Sequence, residues 1–114
     1  MADTHKSGGA GGAIIINTFT VQPGNQAEEI VAALRDITEQ VMRHQPGFRR
    51  AVIHVSLNRK HVANYAEWDS AEAFGQVMQN AEVRVHIAEI DRLFPHEADI
   101  YQVVSAFNAD GELV

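Results

Sequence analysis

The sequence predicts a single α+β domain in which an antiparallel sheet carries helices on one face, and three observations lead to that reading. β-branched and aromatic runs of strand length alternate with stretches whose apolar residues recur at helical spacing. The second and third strand-like runs are separated only by a short turn, which is hairpin spacing. The whole order is β-α-β-β-α-(α)-β without an internal repeat, and 114 residues is the length of one domain.

Residues 1–12 are rich in Gly, Ala and Ser, lack periodicity, and are expected to be a disordered leader. They contain neither a long apolar centre nor an arginine-rich amphipathic pattern, so nothing in them directs export and the cytoplasm is the expected location. The folded domain is expected over 13–107, with a polar tail at 108–114.

The run AIIINTFTV, Ala13 to Val21, is the first strand, closed by the turn residues Pro23 and Gly24. Asn25 and Glu28 can form a reciprocal cap for a helix whose buried stripe is Ile30, Leu34, Ile37 and Val41. Pro46-Gly47 ends that helix by about Arg43, and Phe48–Ser56 resumes strand alternation. A turn at Asn58-Arg59 then leads into the strand His61–Trp68. Asp69 or Ser70 can cap the next helix, where Phe74, Val77 and Met78 share a face. A further helix over about Ala81–Leu93 points Val83, Ile87, Ile90 and Leu93 inward. Phe94-Pro95 breaks it, and Asp99–Phe107 is read as the final strand. This is the ferredoxin-like arrangement. If its helices cover one face only, the other exposes Ile14, Ile16, Val52 and Tyr65, and a homodimer packed sheet on sheet is the simplest cover.

Composition removes several function classes. There is no cysteine, hence no disulfide, thiolate nucleophile or cysteine-ligated metal. A net charge of −6 without a basic cluster opposes nucleic-acid binding. No apolar run approaches the ~20 residues that cross a bilayer. No HxH or HExxH spacing, carboxylate dyad, nucleophilic serine or phosphate-cradling loop is recognisable.

The polar residues of the strands carry more information. Any hairpin loop centred on Asn58-Arg59 pairs Ser56 with His61, Ile53 with Asn64 and Ala51 with Ala66, which puts Ala51, Ile53, Val55, Val62, Asn64, Ala66 and Trp68 on one face. Arg50, Val52, His54, Ala63, Tyr65 and Glu67 lie on the other, with Arg50 and Glu67 near-opposed as a modest ion pair. The first set is the more apolar and is expected to meet the helices. Asn64 and Trp68 then sit in an aliphatic wall, joined by Asn17, which alternates with Ile15 and Phe19. A buried amide costs about 1–3 kcal/mol if its hydrogen bonds go unmade, so each needs a partner. Either the asparagines bond to backbone or to each other, with Trp68 a core filler, or the two amides and the indole address an oxygen of an aromatic ligand between sheet and helices.

The segments INTFTVQPG, RHQPGFRRAVIHVS and above all VANYAEWDSAEAF resemble the antibiotic biosynthesis monooxygenase family, from about Ile14 to Phe107. Asn64 and Trp68, four apart at the end of the third strand, match the spacing of its quinone-forming members, and Asn17 matches the first-strand asparagine of its anthrone oxygenases. The resemblance implies a dimeric α/β barrel of ferredoxin-like subunits. It also implies oxygenation of an anthrone-like polyphenol to a quinone by O2 without flavin, haem or metal. Asn64 and Trp68 would donate to the developing oxyanion, with Asn17 assisting and Phe19, Val62, Phe74 and Met78 shaping the pocket. Some members have a tyrosine at the position of Phe74, and an arginine whose counterpart here is Arg84, His86 or neither. His86 is a candidate base or, alternatively, a solvated helix histidine.

Two other readings compete. Haem-degrading enzymes of this fold resemble the chain through Asn17 and His86, as a first-strand asparagine and an iron ligand, although Val77 stands near where they carry a tryptophan. A non-catalytic dimeric ligand-binding protein would need the same apolar walls and polar groups.

Overall fold

The computed structural model describes residues 12–113; most of the expected leader therefore lies outside the described residues. Strand β1 (Ala13–Thr20) is followed by helix α1 (Ala27–Gln40), a 3-10 turn (Met42–His44), the hairpin β2 (Phe48–Val55) and β3 (His61–Trp68), helices α2 (Ala71–Val77) and α3 (Ala81–Leu93), and strand β4 (His96–Tyr101). The four strands form one antiparallel sheet in the order β2-β3-β1-β4. This is the expected α+β, ferredoxin-like topology. A small hairpin, β5 (Phe107–Asn108) with β6 (Gly111–Glu112), occupies the segment expected to be a tail.

Helix α1 starts one residue later than the expected cap. The Gln26 backbone N–H donates to Glu29 Oε1 at 2.8 Å, so the reciprocal pair is Gln26/Glu29 in place of Asn25/Glu28. Ala27, Ile30, Leu34 and Ile37 give α1 its buried stripe. Ser70 caps α2 by accepting from Ala73 N at 2.9 Å, and Asn80 caps α3 by accepting from Glu82 N. Leu93 does not join the α3 stripe: at 100° per residue it lies about 80° round the helix from Val83 and is 43% exposed.

The hairpin pairs as expected, Ala51 with Ala66 and Ile53 with Asn64, and Arg49 bulges out so that Phe48 also reaches the Trp68 face. Arg59 takes a left-handed φ of 62° in the turn. Beside α2, Gly47 has φ +88° and accepts from Asp69 N at 2.7 Å, tying the entry to β2 to the exit of β3.

β4 departs most from expectation, spanning His96–Tyr101 where Asp99–Phe107 was expected. The chain pairs with β1 at once after Pro95, through His96 opposite Phe19, and stops when Tyr101 meets Ile14, one residue from the start of β1. The partner strand has then run out. On the outer face Ile14 is only 5% exposed and Ile16, Val52 and Tyr65 are half-buried, so the expected apolar row is partly covered within the chain. The core lies between the sheet and the helices, with Phe19, Val62, Trp68 and Val83 its most deeply buried large side chains.

Candidate active site

Alternation along β1 and β3 sets the floor of the site. Ile15, Asn17 and Phe19 share the helix-facing side of β1, and Asn64 and Ala66 share that of β3. Asn17 is paired directly with Asn64, so two amides stand side by side on neighbouring strands.

Above them lies a cavity of about 500 Å³, within the range of small-molecule sites. Its floor is the β1 and β3 residues just named. Leu34 and Ile37 of α1 and the adjoining Met42 close one side, and Phe74 and Met78 close another. Helix α3 contributes Ile87, Ile90 and Asp91, and β4 contributes His96, Ala98, Asp99 and Ile100. The wall is thus mostly apolar, with the two amides at its centre and His96, Asp91 and Asp99 along the α3–β4 side.

Asn64 is 8% exposed, and its Oδ1 has no hydrogen-bond partner among the described residues. A bond from that oxygen to backbone or to Asn17, the bland alternative, is therefore not made. Turning the amide exchanges its carbonyl and NH2 ends, so the group can meet either a hydroxyl or a phenolate and ketone oxygen.

Of the residues expected at the site, Asn17, Asn64, Phe19, Phe74 and Met78 border the cavity. Trp68 does not. Four residues along a strand is about 13 Å, so Trp68 shares a face with Asn64 but sits at the far end of β3, opposite Ala13. It is 1% exposed and packed edge-on between Phe48 at 5.3 Å and Phe74 at 5.5 Å. Its indole reaches the cavity only through Phe74. Val62 is also off the wall, fully buried opposite Phe19. His86 is exposed on α3 and is not among the residues lining the cavity, so the structure does not bring it together with Asn17.

Sequence reading missed His96. Its ring stacks on Phe19 with centroids 4.6 Å apart; Nδ1 is 2.9 Å from the Phe94 carbonyl and Nε2 is 3.3 Å from Asp91 Oδ1. The alternation His96, Ala98, Ile100 would have revealed it had β4 been started at Pro95. Among the described residues no cluster of three or more His, Cys, Asp or Glu could hold a metal, and no helix is long and apolar enough to cross a membrane.

Against known proteins, residues 13–89 match the family model described as antibiotic biosynthesis monooxygenase. Tetracenomycin-F1 monooxygenase of Streptomyces glaucescens is 35% identical over 72 residues, a segment spanning 63% of each chain. Among solved structures, SnoaB, a cofactor-independent oxygenase from Streptomyces nogalater, superposes with a TM-score of 0.73 at 20% identity, over 85% of this chain and 97% of that one. The ActVA-Orf6 monooxygenase of Streptomyces coelicolor, in complex with nanaomycin D, gives 0.67 at 23% identity over 85% and 91%. At these identities the two structures share the fold. With the family model covering most of the chain, this protein belongs to the antibiotic biosynthesis monooxygenase family.

Proposed function

We propose that this chain is a cofactor-independent monooxygenase that converts an anthrone-like polycyclic polyphenol to a quinone with O2 in polyketide biosynthesis, working as a cytoplasmic homodimer. The observation that carries the reading is the pair Asn17 and Asn64 in the floor of an apolar cavity, with the Asn64 oxygen buried and unpartnered. Such an arrangement is costly unless a ligand hydroxyl donates to that oxygen, or the amide turns and its NH2 donates to a ligand oxygen. The 35% identical relative is a tetracenomycin-F1 monooxygenase and a fold relative holds nanaomycin D, which supports a polycyclic aromatic occupant.

The substrate supplies the electrons. Loss of a proton from the anthrone methylene leaves a carbanion delocalised onto the carbonyl oxygen, and the amides stabilise the charge that collects there. The carbanion reduces O2 and a C–O bond forms; loss of water from the hydroperoxide leaves the quinone carbonyl. Overall, CH2 and O2 become C=O and H2O. Apolar walls keep water from the charged intermediate. Phe74 is held in the wall by Trp68, which acts by packing. Dimerisation would cover the outer sheet face and the exposed apolar groups beyond β4, such as Val104, which is 87% exposed.

The test is oxygen consumption with dithranol, an anthrone, corrected for spontaneous oxidation. One O2 per quinone, at a rate proportional to enzyme and unchanged by chelators, is expected. Uptake no faster than the spontaneous rate would overturn the proposal in favour of a ligand-binding protein.

A further inference from the structure

We infer that His96, paired with Asp91, is the base that removes the substrate's C–H proton and later returns it to the peroxide; this rests on the oxygenation reading above. Three features of the geometry point to it. First, His96 borders the same cavity as the two amides at a suitable offset. Phe19 lies two residues along β1 from Asn17 and faces His96 across the β1/β4 pairing, so the α-carbons of Asn17 and His96 are about 8 Å apart. That span suits a single ring whose carbonyl oxygen meets an amide while the methylene opposite meets the imidazole.

Second, the ring is held in one useful form. Nδ1 lies 2.9 Å from the Phe94 carbonyl, a partner that only accepts, so Nδ1 carries the hydrogen and donates it. Nε2 faces Asp91 Oδ1 at 3.3 Å, and in the neutral ring it presents its lone pair to substrate when that carboxylate turns aside. The Phe19 ring, stacked at 4.6 Å, fixes the plane of the imidazole.

Third, a receptor for the transferred proton is in place. Asp91 Oδ1 is 3.3 Å from Nε2 and accepts its N–H once the imidazolium forms. The Asp91 side chain is more than half exposed, so it can turn aside while substrate occupies Nε2 and return afterwards. The other titratable group of the cavity wall is Asp99 on β4; α1 and α2 present only apolar residues, and β1 presents the Phe19 ring. No side chain on the wall is a lysine or arginine that would compete for Asp91.

In the step, the methylene C–H bond breaks, its electron pair stays on the substrate as the enolate, and Nε2 takes the proton. After O2 has accepted the electrons and formed the C–O bond, the same proton passes from Nε2 to the peroxide oxygen. His96 ends as it began.

The experiment measures dithranol oxidation between pH 5.5 and 8 for the wild type, H96Q and D91N, together with binding of the product anthraquinone by fluorescence. H96Q is expected to bind the product within about threefold of wild type and to lose about 10²–10³-fold in kcat. Imidazole added to H96A is expected to restore part of the rate. D91N, a substitution of an exposed positioning residue, is expected to keep KM and lower kcat about tenfold. H96Q turning over like wild type across the range, or losing product binding in proportion to rate, would overturn the assignment of His96 and leave the oxygenase reading standing. No oxygen uptake by wild type would overturn both.

Discussion

Replacing Asn64 with leucine separates stability from function in opposite directions. In the free protein the Asn64 oxygen is buried without a partner, which costs about 1–3 kcal/mol on the scale of protein mutational data. Asn64→Leu removes that penalty, and its additional volume extends into the cavity instead of into packed side chains. Allowing for some loss to rotamer restriction, the variant should be more stable by about 1–2 kcal/mol. In a domain this size that raises Tm by several degrees. Losing one donor at the developing oxyanion should cost about 10²–10³-fold in kcat. Urea and thermal denaturation measure the first quantity, and oxygen uptake with dithranol the second. A variant less stable than wild type would show that the amide oxygen is engaged after all. Full turnover in a stabilised variant would remove Asn64 from the chemistry.

Other expected outcomes address the supporting structure. Gly47→Ala should cost about 2–4 kcal/mol in urea denaturation, because φ is +88° and the new Cβ would lie 2.7 Å from that of Ala73. Trp68→Phe retains a ring between Phe48 and Phe74 and should keep kcat within about threefold, whereas a direct hydrogen-bond role would cost about 10²-fold or more. Burial, and then the Glu67 carboxylate, raise the pKa of the Tyr65 phenol above its usual value. The resulting stabilisation is present below the unfolded pKa of about 10 and is lost as pH rises through the folded one, so the alkaline fall in stability should be shallower in Tyr65→Phe. Tyrosinate absorbance followed against pH checks the sign directly. Sedimentation velocity should show a dimer; a monomer at micromolar concentration would contradict the proposed assembly.

Much of the fold was legible because its signals are local. The β2–β3 register followed from the turn and the two-residue period, and that register put Asn64 on the helix-facing side. The same period put Asn17 beside it. The differences share another origin. Asn64 and Trp68 were read together because alternation reports a face, but it does not report what stands above each point on it. Trp68 lies beneath α2 and is sealed by Phe48 and Phe74, while Asn64 lies beneath the gap between helices. His86 fits a helical pattern equally well whether its side faces the sheet or solvent.

The amino-acid order by itself determined the topology, the hairpin register and the shared face of the two asparagines, since each depends on backbone preferences and periodicities within a few residues. Only the tertiary structure decided where β4 pairs, and so brought His96 and Asp91 to the cavity, and only it sealed Trp68 away. Edge-strand pairing and helix-to-sheet spacing are set by packing among residues distant in the chain, which no local pattern encodes.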